Sequence, residues 1–131
     1  MIRLSIDTGA AICSCRVWVY ASAHTLNAAA RKVPEHDGTR VDGLSHFAIR
    51  ELGSKPHAVA TVYVSAPNGR LDAPTLLHEL HHASRDLAAF LRDSGAFWRM
   101  NDDAEMQAEE WAASFQERAY FRALADYAGA T

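Results

Sequence analysis

Seven consecutive residues, Leu76-Leu77-His78-Glu79-Leu80-His81-His82, constrain this chain more than any other part of it. His78 and His82 stand four residues apart, and on an α-helix residues four apart lie one above the other on a shared face. Two imidazoles so placed can reach one tetrahedral ion, for which Zn²⁺ is the natural match. Glu79 then points into the neighbouring sector, where its carboxylate can take a proton from water activated by the ion. The apolar residues of the same segment, Leu76, Leu77, Leu80, Ala83, Leu87, Phe90 and Leu91, keep helical spacing and form a broad stripe. The segment that carries the chemistry must therefore also be packed on a core. Its helix is expected to open at Asp72-Ala73-Pro74-Thr75, with Asp72 or Thr75 as cap, and to run to about Arg92, where Asp93-Ser94-Gly95 stops it.

Such a helix needs a surface to lie on, and the preceding residues supply one. Residues 2–6 alternate Ile-Arg-Leu-Ser-Ile, a half-buried strand followed by the turn signal Asp7-Thr8-Gly9, and residues 12–20 form a second β-like run that could pair with it as a hairpin. An Ala-rich short helix is expected over 22–33, with Ser22 as N-cap and Pro34 beyond its end. A polar, turn-rich loop covers 34–40. Strands are expected over 44–52 and 59–64, joined by Gly53-Ser54-Lys55-Pro56, and the loop 65–72 could wall a cleft. A last helix begins near Asn101-Asp102-Asp103 and continues through Tyr127, with Ala108, Trp111, Ala112, Phe115, Ala119 and Ala123 at helical spacing. With 131 residues, 49% of them apolar, the chain has room for one domain, residues 1–131, and little for a second. The expected class is α+β: a mixed sheet of three to five strands with the His-Glu-x-x-His helix and the C-terminal helix packed on one face.

Charge and cysteine content narrow the partners. A formal net charge of −3 with no basic block gives no support for binding nucleic acid, and no apolar run approaches membrane-spanning length. The N-terminus lacks the apolar core of a signal peptide, so the expected setting is cytoplasmic. Cys13 and Cys15, two apart on a strand, would share a face and serve as packing thiols. His24, His36 and His57 are expected to face solvent, while His46 could face either the core or the cleft. Tyr120 and Tyr127 fit an apolar helical face better than a role in stabilising an oxyanion.

Two histidines leave a catalytic zinc one protein ligand short, and the last helix is the expected donor. Glu105, Ala108, Glu109 and Ala112 form one of its faces, two carboxylates among small residues that permit close approach. Here the sequence resembles a known family. His-Glu-x-x-His followed one helix later by Glu105-Met106-Gln107-Ala108-Glu109-Glu110-Trp111-Ala112 is similar to the ImmA/IrrE-type, gluzincin-like zinc metallopeptidases, with Trp for the family's Phe and Glu109 for its Asn. The similarity covers about residues 59–115. It implies His78, His82 and Glu105 as metal ligands, Glu79 as general base, and Glu109 either as the group that orients a ligand histidine or as the third ligand itself. It further implies a peptidase acting on an intracellular protein, such as a regulatory protein, in a bacterial or phage-type setting. The alternative is a catalytically inactive zinc-binding module acting in protein–protein interaction or regulation, whose metal would be closed off by a fourth protein ligand such as His81.

Overall fold

A computed structural model describes residues 1–97 and 103–131. Four strands, β1 (Ile2–Ile6), β2 (Cys13–Tyr20), β3 (Leu44–Leu52) and β4 (Lys55–Ser65), form one mixed sheet in the order β1-β2-β4-β3. Three helices accompany them: α1 (Ala23–Ala30), α2 (Ala73–Asp93) and α3 (Ala104–Ala130). The α+β class and the mixed sheet are as expected.

The two hairpins, β1–β2 and β3–β4, meet along the parallel pair β2–β4, whose connection runs through α1 and β3. Residue alternation then sorts every strand side chain onto one of two faces. Leu4 and Ile6, Cys13 through Val19 at every second position, and Ala58, Ala60, Val62 and Val64 all turn toward α2 and α3. They close a core with Leu76, Leu80, Leu87, Leu91 and Phe115, each almost wholly buried. Cys13 and Cys15 belong to this core as free thiols, and burial pushes the Cys15 thiol up to about 12.

α1 packs on the opposite face, which the one-sided layering expected from sequence did not provide for. Leu26 and Val33 cover Tyr20 and Tyr63 there. Its N-terminus is fixed by a capping box: the Thr25 amide donates to Ser22 Oγ and the Ser22 amide donates to Thr25 Oγ1.

β4 is longer than the β-prone stretch 59–64 suggested. Lys55 and Pro56 already pair with β3, leaving Gly53-Ser54 as the turn. Pro56 is tolerated because β2 starts pairing only at Ala58, so this end of β4 is flanked by β3 alone. β4 is also an interior strand, and the free sheet edge on the α2 side is that of β3.

Candidate metal centre

α2 positions the site through its cap and its apolar stripe. Asp72 caps the helix: its carboxylate accepts from the Thr75 amide and, at 2.7 Å, from the Thr75 hydroxyl. Leu76, Leu80, Ala83, Leu87 and Leu91 bury one side of the helix against the sheet and α3. That burial fixes the rotation of the helix and leaves His78 and His82 exposed on its outer side.

The two imidazoles face each other with Nε2 atoms 3.2 Å apart and ring planes at 84°. Two nitrogens each about 2.0–2.1 Å from a tetrahedral ion would stand about 3.4 Å apart, so this spacing fits the donor geometry of zinc. The ligating atoms of His78, Glu79 and His82 all lie within 4.8 Å of one another, a cluster that could hold a metal ion.

Glu79 is only 8% exposed, and burial raises its carboxyl pKa, with His78 and His82 opposing the shift. The segment Val41-Asp42-Gly43, with Pro74, Thr75, His78 and Glu79, lines an open cleft of about 430 Å³. Gly43 is packed so closely that a Cβ there would collide with the Thr75 methyl and come within 3.1 Å of both Glu79 Cγ and the Tyr63 carbonyl oxygen. The cleft wall is thus the entry to β3. The loop 65–72, expected in that role, instead contributes Asn68 and Gly69 to a cavity shared with Met1, Ile2 and Tyr127.

The carboxylates of α3 stand farther along. Glu105 and Glu109 line a groove of about 340 Å³ with Arg85, Asp86, Ala89 and Arg92, beyond His82 toward the C-terminal end of α2. Neither joins the His78, Glu79, His82 cluster. The N-cap of α3 is Asp103, which accepts from the Glu105 amide at 2.9 Å.

Asp86, one turn past His82, borders this groove and a second one of about 370 Å³ walled by Phe47, Ile49, Pro56 and Phe90. Burial raises its pKa, while the charge of His82 pulls it down. The i to i+4 step from His82 to Asp86 was the signal that could have singled it out.

His81 turns away from the pair toward α3, where its Nδ1 lies 3.3 Å from Gln116 Oε1. His46 sits opposite Thr61 on the sheet face away from α2, which resolves its two alternatives in favour of neither core nor cleft. His57, expected free in solvent, is half-buried and shares a 2.8 Å hydrogen bond with Ser14 Oγ. Tyr127 is buried and donates to the Gly69 carbonyl at 3.4 Å, and Tyr120 packs against the core.

No family model matches this chain, nor does any protein of curated function or any solved structure.

Proposed function

We propose that this protein is a zinc-dependent peptidase that cleaves peptide bonds of a protein substrate, with Glu79 as general base. The observation that carries the proposal is the pair of Nε2 atoms 3.2 Å apart with a buried glutamate beside them. When bound, Zn²⁺ supplies Lewis-acid chemistry, polarising a carbonyl group and acidifying water. His78 and His82 would hold it.

Glu79 receives the proton released in the attack and hands it to the leaving amine. A carboxyl whose pKa burial has raised is better matched to both transfers near neutral pH than an exposed one. Gly43 packs against Glu79 Cγ and holds the carboxylate at the wall of the cleft. An extended peptide can be aligned by backbone pairing along the free edge of β3, beside α2, a mode with little side-chain selectivity.

Glu105, the third ligand that the resemblance implies, borders a groove beyond His82 with Glu109 and Asp86, outside the histidine cluster, so the third ligand is sought among these three carboxylates. A closed, purely structural site would need four protein ligands, and the engagement of His81 with Gln116 gives no support to that alternative.

Elemental analysis of protein purified without added metal, run beside His78→Ala, Glu105→Ala, Glu109→Ala and Asp86→Ala, tests the centre. About one zinc per chain is expected, lost with His78→Ala and with whichever carboxylate is the ligand. Glu79→Gln should retain zinc and lose roughly 10²- to 10⁴-fold of the activity on an unfolded protein substrate. A parent that takes up no zinc, or a Glu79→Gln variant as active as the parent, would overturn the proposal.

A further inference from the structure

The sheet face turned away from α2 and α3 carries a charge pattern that the metal centre does not use. Register places Arg3 and Ser5 of β1, Ser14, Arg16 and Trp18 of β2, His46 and Arg50 of β3, and Lys55, His57 and Thr61 of β4 on this face. Glu51 is the only acidic residue in any of the four strands, and its pairing with Pro56 puts it on the other face. Every charged strand residue on this face is therefore a cation, in a chain whose net charge is −3.

α1 and the turn after it cover one end, over Tyr20, Tyr63 and Leu44 with Trp18 at the margin, and the cations beyond that margin, Arg3, Arg50 and Lys55, are open to solvent. Arg3, Arg50 and Lys55 are exposed, while Arg16, Trp18, His46 and His57 are half-buried. Among the described residues none of the four cations has a carboxylate partner, the ion pairs there being Arg92 with Asp93 and Arg122 with Asp126.

Arg16 is held in place: its Nη2 and Nε donate to Thr61 Oγ1 at 2.8 and 3.1 Å, and its guanidinium lies 4.7 Å from the centroid of Trp18. Arg3 stands over the same ring at 5.0 Å. From β1 to β3 the cations span three strand spacings, about 14 Å at roughly 4.8 Å each.

We infer that this face binds single-stranded nucleic acid. Arg3, Arg16, Arg50 and Lys55 meet phosphates, and bases stack on Trp18, its two guanidinium planes and the imidazoles of His46 and His57. An acidic protein segment fits less well, because protein interfaces cluster several large anchors, and Trp18 is the one Phe, Trp or Tyr side chain that register places on this face beyond Tyr20 and Tyr63, which α1 covers. Of the exposed large apolar side chains among the described residues, strand register places only Leu52 on this face, at the tip of the β3–β4 hairpin. Phosphates and planar bases need no such anchor. The absence of a basic block in the sequence hid the surface, since its cations are dispersed along the chain and only strand pairing gathers them. The inference is independent of the metal centre, which lies on the other side of the sheet.

Fluorescence anisotropy with labelled 12-nucleotide single-stranded RNA and DNA tests it. Four phosphate contacts predict roughly a 50-fold loss of affinity between 50 and 200 mM salt. Removing two with Arg50→Ala/Lys55→Ala, both exposed and checked for folding by circular dichroism, should weaken binding and cut the salt loss to roughly 7-fold. His78→Ala should bind as the parent does. Binding of both nucleic acids points to backbone and base contacts, and preference for RNA to a further contact with the 2′-hydroxyl; either supports the inference. No binding at 50 mM salt, unchanged binding in the double variant, or equal binding of a 12-residue polyglutamate would overturn it.

Discussion

Gly43 shows at single-residue resolution how the fold presses on the chemistry. Nothing in its local backbone demands glycine, since its φ lies outside the left-handed region; the demand comes from Thr75, Glu79 and Tyr63 packed around the missing Cβ. Gly43→Ala should destabilise the protein by about 1–3 kcal/mol, the usual cost of overpacking, and slow the proposed peptide hydrolysis by displacing Glu79. Zinc content should stay at the parent level, because α2 alone supplies His78 and His82. Urea denaturation and elemental analysis together check this, and loss of zinc in the variant would show that the loop also holds the histidines. The sequence marks Asp42-Gly43 as a turn; that this glycine backs Glu79 is visible only in three dimensions. The two histidines and Glu79 were legible because their relation is local, fixed by helical periodicity whatever α2 packs against.

At the level of elements, the approach of α3 to α2 is set by small residues. Ala88, Ala108 and Ala112 form a buried cluster, with Phe97 and Trp111 at its margin. Small side chains here let the helices come close enough for Glu105 and Glu109 to border the groove beside Arg85 and Arg92. Ala112→Leu should cost about 1–3 kcal/mol, read as a lower denaturation midpoint at unchanged slope. A variant as stable as the parent would mean that the two helices are free to separate. The stripe of Ala108, Ala112, Phe115, Ala119 and Ala123 was plain in the sequence. How far along α2 its carboxylates would fall was not, because helical spacing gives the face of a helix and leaves the axial offset between two helices undefined.

For the molecule as a whole, a metal held by the native state alone stabilises it by mass action. At a free zinc concentration 100 times the dissociation constant the gain is about 2.7 kcal/mol, which for a domain of this size should raise the melting temperature by about 10 °C. Thermal melts with zinc and with a chelator should show that difference in the parent and none in His78→Ala; equal shifts in both would place the bound metal elsewhere. The sheet divides the molecule by chemistry. The proposed metal centre lies on the side of α2 and α3, and the cationic surface on the side only partly covered by α1. No helix among the described residues is long and apolar enough to cross a membrane.

What the sequence determined by itself was everything carried by short-range periodicity and capping: the strand and helix segments, Ser22 as the cap of α1 and Asp72 as one of two candidates for that of α2, the shared face of Cys13 and Cys15, and the His78, Glu79, His82 triplet. Tertiary structure decided the rest. It made β4 an interior strand and β3 the edge, put α1 on the face opposite α2, turned His81 to Gln116, and set Gly43 against Glu79. It also gathered Arg3, Arg16, Arg50 and Lys55 onto one face from positions up to 52 residues apart. The physical reason is the same in each case. Helical and strand repeats are properties of neighbouring residues, whereas strand order, helix offset and close approach depend on which distant surfaces bury one another, and no local pattern encodes that choice.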